Sequence, residues 1–250
     1  MLKVRSVLVS QPKPETEKSP YFDLAEQCKV KVDFRPFIHV EGVPSKEFRL
    51  QKINLPEHDA VIFTSRNAVD HYFRIAEEMR VKVSEEVKYF CISESTALYL
   101  QKYIVYRKRK IFYGQQTFAD LISVIKKHKD GNFLLPSADI LRQDIPESLA
   151  ANNIKFKIAT LYRTVCSDLS DLSDVNYDIL VFFSPSGIKS LFENFPDFKQ
   201  NDTRIAVFGP TTATAAQQAG LNVDISAPQP ESPSMTKALE LYIKKANKGK

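Results

Sequence analysis

Ten short runs rich in β-branched and aromatic residues alternate with eight amphipathic stretches, and this alternation limits the fold more than any other feature of the chain. The strand candidates are 4–9, 30–35, 60–63, 88–92, 103–106, 132–135, 154–159, 178–183, 204–208 and 222–225. The helix candidates are 20–28, 66–79, 95–101, 116–128, 141–151, 185–194, 211–219 and 234–246. Strands that alternate with helices read as an α/β fold with parallel sheets. The run Ile179-Leu180-Val181-Phe182-Phe183 is apolar at every position, as expected of a strand covered on both faces. Helix punctuation agrees. Ser184-Pro185 sets a cap before a proline at the first helical position, Thr211 or Thr212 caps the next helix, and Gly220 ends it. Segments 36–45 and 161–176 break the alternation. The first carries Pro36, Gly42 and Pro44, the second is rich in Ser and Asp, and both read as linkers.

The chain also repeats itself. Asp59-Ala60-Val61-Ile62-Phe63-Thr64-Ser65 aligns with Asp178-Ile179-Leu180-Val181-Phe182-Phe183-Ser184, and the match continues to Phe73 and Phe192. Residues 89–97 align with 205–213, and the stretch ending at Val40 aligns with that ending at Val165. The order is kept with small gaps, which points to two similar domains of about five strands each.

Several function classes fall away. At 43% apolar and 26% charged residues the chain is an ordinary globular one, and its apolar runs are far too short for a membrane helix. The charged start, Met1-Leu2-Lys3-Val4-Arg5, lacks a signal-peptide core, so a cytoplasmic protein is expected. Cys28, Cys91 and Cys166 form no Cys-x-x-Cys pair, and four scattered histidines show no metal-binding spacing, so no metal is expected. Seven glycines include no Gly-x-Gly-x-x-Gly and no P-loop. The basic run Arg107-Lys108-Arg109-Lys110 beside Tyr103 and Tyr106 is a single cluster without a recognition motif. It reads as a solvated loop rather than a nucleic-acid site.

What remains is chemistry at strand ends. In open parallel sheets ligands sit beyond the carboxyl ends of the strands. There the chain places Ser10 and Gln11, Thr64 and Ser65, Ser93 and Ser95, Ser137, Ser184 and Ser186, and Gly209 with Thr211 and Thr212. Each group precedes a helix, whose first N–H groups and positive dipole end favour anions. One helix end adds only about 0.3–1 kcal/mol, but several aimed at one cleft suit a polyanion. A net charge of +5 fits such a ligand. No nucleophile elbow and no paired carboxylates stand at these ends, so an enzyme of this kind works by positioning and backbone electrostatics.

These motifs resemble the uroporphyrinogen-III synthase family. The residues that carry the likeness are Phe63-Thr64-Ser65-Arg66-Asn67-Ala68-Val69, Leu161-Tyr162-Arg163, Phe182-Phe183-Ser184-Pro185-Ser186-Gly187 and Phe208-Gly209-Pro210-Thr211-Thr212-Ala213. Leu134-Leu135-Pro136 with Leu141-Arg142 and Ile145-Pro146, and Ser232-Pro233-Ser234 before the last helix, extend it over essentially the whole chain.

The resemblance implies two flavodoxin-like α/β domains joined by two extended linkers, with a cleft between them. Residues 1–37 plus 168–250 would form one domain and 41–162 the other, whereas the repeat alone suggests two contiguous halves. The implied reaction closes linear hydroxymethylbilane, a substrate with eight carboxylates, into uroporphyrinogen III. Ring D is inverted through a spiro intermediate, without cofactor or metal. A monomer is expected, with hand-over from hydroxymethylbilane synthase and no nucleic-acid or membrane partner. By the same resemblance Tyr162 and Thr96 are the catalytic candidates. Ser65, Asn67, Ser184, Ser186, Gly187, Gly209, Thr211 and Thr212 would contact carboxylates, and Arg66 and Arg142 would pair with them.

The chain departs from the family pattern at three places. Ser10-Gln11 and Ser137 stand where arginines are common, and Ser93-Glu94 stands where Gly-Pro is common. Glu94 puts a negative charge near the site of an anionic substrate. Two readings of the cleft therefore stand at this level. One is the cyclase, and the other is a non-catalytic tetrapyrrole- or polyanion-binding regulatory protein.

Overall fold

A computed structural model describes residues 2–16, 18–172 and 176–248. The chain begins β1 (Ser6–Val9), α1 (Pro20–Cys28), β2 (Lys31–Phe34), β3 (Ile38–Gly42), α2 (Ser45–Leu50), β4 (Ala60–Phe63) and α3 (Arg66–Glu78). It continues through β5 (Lys88–Cys91), α4 (Glu94–Tyr99), β6 (Ile111–Tyr113), α5 (Phe118–Ile125), β7 (Phe133–Ala138), α6 (Asp144–Ala151) and β8 (Phe156–Cys166). It ends β9 (Ile179–Phe182), α7 (Pro185–Asn194), β10 (Arg204–Phe208), α8 (Pro210–Gln218), β11 (Val223–Ala227) and α9 (Met235–Asn247).

Two compact units result. One holds Met1–His39 with Val165–Lys250, and the other holds Val40–Thr164. The first contains a five-stranded parallel sheet in the order β11-β10-β9-β1-β2. Numbered within that unit, this is the flavodoxin-like order 2-1-3-4-5. The second sheet runs β3-β8-β7-β4-β5-β6, with β8, β7, β4, β5 and β6 parallel. Its five parallel strands repeat the first arrangement if β7 and β8 stand for β1 and β2, and β4–β6 for β9–β11. That equivalence matches the sequence repeat, which pairs β4 with β9, β5 with β10 and β8 with β2. The repeat in sequence and the unit in space are therefore different objects. Each unit takes two strands from one repeat and three from the other.

Side-chain alternation sends each strand into two cores. Val7 and Val9 face one side of the first sheet, packed with Leu239 and Ile243 of α9. Leu8 faces the other side, with Leu191 of α7 and Ala216 of α8. In the second unit Val61 and Phe63 pack with α3, and Ala60 and Ile62 with Leu121 of α5 and Leu149 of α6. All four β4 residues are buried, as a central parallel strand requires.

Four sequence expectations change. Thr211 and Thr212 do not cap α8 but lie inside it, and Gly209 holds the cap position. Residues 103–106 are not a strand. Tyr103, Ile104 and Tyr106 pack their apolar sides on the core without regular pairing, and the edge strand forms at Ile111–Tyr113 instead. Residues 36–45 are not a bare linker, because they hold β3 and lead from Pro44 into α2. Likewise β8 runs through to Cys166, well into the expected linker 161–176. The ends of β3 and β8 are tied by backbone bonds from Val43 N–H to Leu161 O (2.8 Å) and from Ser167 N–H to Phe37 O (2.9 Å), the spacing of an antiparallel pair. Gln51, just past α2, extends this ladder with its side chain. Its amide donates to Thr160 O (2.7 Å) and accepts from Thr160 N–H (3.0 Å).

Candidate active site

In the second unit, β4 delivers Ser65 to the start of α3. Ser65 is in extended conformation and its Oγ accepts from Ala68 N–H (3.1 Å), a normal N-cap. The same Oγ lies 3.3 Å from the hydroxyl of Tyr162, which β8 brings to the rim two strands away. Tyr162 is 8% exposed. Burial pushes its phenol above the usual tyrosine value, and the Ser65 contact acts in the opposite sense. The phenol is thus protonated at neutral pH and can act as a donor.

Arg66 and Asn67 occupy the first two positions of α3, and both are exposed. The Arg66 guanidinium lies over the Tyr99 ring, 5.3 Å from its centroid. The Tyr99 hydroxyl donates to Asp70 (3.0 Å), which also receives Lys102 (2.9 Å) and the Tyr103 hydroxyl. This network holds α3 against α4.

At the end of β5, Ser93 caps α4. Its Oγ accepts from Thr96 N–H (3.4 Å) and lies 3.1 Å from Thr96 Oγ1 and from Ser95 Oγ. Thr96 is 4% exposed, its hydroxyl turned into this cap. Glu94 accepts from the Tyr113 hydroxyl (3.3 Å), which draws its carboxylate toward β6. At the end of β7, Ser137 is buried and its hydroxyl has no partner. Arg142 precedes α6 and is gripped by the first residue of that helix, with Nε and Nη2 bonded to the two Asp144 carboxylate oxygens at 3.1 and 2.7 Å.

The first unit carries the matching rim. Ser184 follows β9 and caps α7, its Oγ accepting from Gly187 N–H (3.2 Å). Pro185 fills the first helical position, Ser186 is half-buried and Gly187 is buried. A Cβ at Gly187 would lie 3.4 Å from Phe182, 3.6 Å from Ser184 Oγ and 3.9 Å from Ser10 Oγ, so ordinary contact surrounds it. After β10, Gly209 adopts φ +86°, a backbone that favours glycine, and offers no side-chain cap to α8. The first N–H groups of α8 are left for solvent or a ligand. Thr211 is exposed beside them and Thr212 is buried.

Within the second unit the structure brings Tyr162 and Ser65 together. It keeps Thr96 in the separate cap at β5 and commits Arg142 to Asp144. Sequence reasoning missed two neighbours of Tyr162. The ring of His71 stacks on it at 5.0 Å and 18°, and Arg74 Nε donates to His71 Nδ1 at 3.1 Å. Their i,i+3 spacing on α3 was readable, but the strand they face was not. Among the described residues no group of three or more His, Cys, Asp or Glu could hold a metal ion, and no helix is long and apolar enough to cross a membrane. The basic run is partly neutralised, with Arg107 paired to Glu85 (2.7 Å) and Lys110 to Glu86.

A family model described as Uroporphyrinogen-III synthase HemD matches residues 20–237. A uroporphyrinogen-III synthase of Chlorobaculum parvum is 26% identical over 255 residues, covering 96% of this chain and 100% of that protein. One from Saccharomyces cerevisiae is 29% identical over 139 residues, covering 49% of this chain and 50% of that protein. Among solved structures, the uroporphyrinogen-III synthetase of Helicobacter pylori aligns with a TM-score of 0.61 at 20% identity, covering 96% of this chain and 99% of that one. At that identity the structural likeness speaks for the fold.

Proposed function

The chain belongs to the uroporphyrinogen-III synthase family, whose reaction closes hydroxymethylbilane into uroporphyrinogen III, and we propose that Tyr162 is the proton donor of that reaction here. The family match over 218 residues, 20 to 237, carries the assignment. The names of the relatives favour the cyclase over a non-catalytic binding protein.

The substrate closes without enzyme to the symmetrical isomer I, so the task is to hold a flexible chain in the conformation that leads to isomer III. Loss of the terminal hydroxyl gives an azafulvene in its N-protonated, cationic form. Tyr162 donates its phenolic proton to that hydroxyl, which leaves as water, and the phenolate takes up the proton released on ring closure. Its protonated state at neutral pH and its bond to Ser65 support this role. Thr96 joins the catalytic set on the resemblance. Its bond to Ser93 fixes the start of α4.

The carboxylates fall to the strand-end rims. Ser65, Asn67, Ser184 and Ser186 offer hydroxyl or amide groups, and Thr211 and Thr212 offer helix-start N–H groups; Gly187 and Gly209 join the set on the resemblance, the N–H of the first being bonded within its cap and that of the second to Ala227 O (2.7 Å). Arg66, held on Tyr99, supplies a charge for one carboxylate. Arg142 can do so only by releasing Asp144. On this reading the protein is a cytoplasmic monomer that takes its unstable substrate from hydroxymethylbilane synthase.

The test is an isomer assay. Hydroxymethylbilane is generated in situ from porphobilinogen with its own synthase, the chain is added, and the oxidised uroporphyrins are separated. Isomer III should grow at the expense of isomer I in proportion to added protein. Isomer I alone, from folded protein, would reject the cyclase.

A further inference from the structure

Arg74 sits two turns into α3 and spends every nitrogen of its guanidinium on named partners. Nη2 donates to the backbone oxygens of Val43 (2.9 Å) and Leu161 (3.1 Å), Nη1 to the Glu78 carboxylate, and Nε to Nδ1 of His71 (3.1 Å). The strand opposite leaves room for it. A Cβ at Gly42 would fall 2.7–2.8 Å from Cζ, Nε and Nη2 of Arg74. A side chain with this many bonds cannot step aside without breaking them.

The donor pattern decides the imidazole. An arginine N–H only donates, so Nδ1 of His71 accepts and the ring proton is on Nε2. The ring is stacked on Tyr162, nearly parallel, and the Tyr162 hydroxyl reaches Ser65 Oγ. The four side chains thus form one line, from Arg74 through His71 and Tyr162 to Ser65, and α3 and β8 supply all of it except the cap.

We propose that Arg74 and His71 are positioning residues for Tyr162, Arg74 locking His71 as the neutral Nε2–H tautomer and the stacked imidazole fixing the direction in which the phenol presents its hydroxyl. This rests on the reading of Tyr162 as the proton donor. Burial, then the neighbouring Arg74 charge, hold the imidazole below its ordinary value, which keeps it neutral against the phenol. An imidazolium there would lose the bond from Arg74, because a protonated Nδ1 cannot accept it.

The test is steady-state kinetics on the full chain with hydroxymethylbilane generated in situ, for Tyr162→Phe, His71→Ala, His71→Phe and the double variant Tyr162→Phe/His71→Ala. Tyr162→Phe should lower kcat by about 100-fold. His71→Ala should lower it about 10-fold with KM within about two-fold, as misdirection of a held group does. His71→Phe, which restores a flat ring, should return kcat to within about three-fold of the parent. In the Tyr162→Phe background His71→Ala should cost nothing further, because no hydroxyl remains to direct. An unchanged kcat for His71→Ala beside a slow Tyr162→Phe would overturn the positioning role alone, as would the same penalty in both backgrounds. A Tyr162→Phe enzyme at parental rate would instead remove Tyr162 from the mechanism, and the positioning role with it. A readout independent of activity and of any variant is the 15N spectrum of His71 in the parent protein. Bare Nδ1 and protonated Nε2 are expected, and a proton on Nδ1 would refute the lock.

Discussion

Burial withdraws His58 from water and leaves only half of its imidazole bonded. The residue is 2% exposed, and its Nδ1 lies 3.0 Å from the carbonyl of Asn54, so that nitrogen carries the proton. Nε2 is buried without a partner. Desolvation accordingly holds the group below the ordinary imidazole value of about 6.5. The consequence for stability has a definite sign. Below the ordinary value the unfolded chain takes up a proton that the folded chain resists, so the unfolded state binds more protons and stability falls as the pH drops. Above about pH 7.5 both states are neutral at this site and it contributes no slope. His71 and His128, also lowered by burial, add to the same acid-side loss. Urea midpoints at pH 8 and pH 5.5 should therefore differ more for the parent than for His58→Gln, whose amide can still donate to Asn54 O. Equal differences would mean that His58 opens to water before it titrates.

Two glycines at helix starts look alike in sequence and differ in what they do. Gly209 precedes α8 with φ +86° and has no heavy atom within 4 Å of a built Cβ, so a side chain there meets conformational strain but no clash. Gly187 lies inside the first turn of α7, where a Cβ makes ordinary contacts and alanine is the better helix former. Gly209→Ala should lose about 1–3 kcal/mol in urea unfolding, whereas Gly187→Ala should be neutral or gain up to about 1 kcal/mol. Equal losses at the two sites would show that contact rather than backbone conformation governs these starts. The element pattern explains what the sequence made legible. Strands such as β4 and β9 are apolar throughout and flanked by caps, so periodicity and punctuation agree, and the parallel α/β class follows. Where a segment's apolar residues pack without pairing, as at Tyr103 and Ile104, the same composition suggests a strand that does not form. Pro44 looked like a breaker and is instead the cap position of α2. At the site, the caps Ser65, Ser93 and Ser184 were readable because capping is local. The contacts of Tyr162 with Ser65 and His71 span 97 and 91 residues, positions 162 less 65 and 71, and no local pattern encodes them.

Taken whole, the molecule carries a net charge of +5, and the binding surface proposed above draws on helix starts more than on arginines. Its two arginine candidates are partly committed, Arg66 to the Tyr99 face and Arg142 to Asp144. Attraction for a substrate with eight carboxylates must then come mainly from many weak, solvent-facing contributions. Each helix end adds about 0.3–1 kcal/mol at low ionic strength, and each is screened by salt. The screening length shrinks from roughly 30 Å at 0.01 M to roughly 10 Å at 0.1 M, so long-range attraction collapses over that interval while contact hydrogen bonds persist. Ring closure itself takes place within the bound complex and moves little net charge across the surface. Between 0.02 and 0.3 M potassium chloride, KM should therefore rise by about 10-fold, as steered encounter weakens, while kcat stays within about two-fold. The assay is the same isomer separation, run as initial rates at each salt concentration with the fold checked by circular dichroism. A flat KM would place the binding energy in short, desolvated bonds, and Arg66 and Arg142 would then be the first residues to remove. A fall in kcat at constant KM would show that salt acts on the chemistry, which this arrangement of weak exposed contacts does not allow.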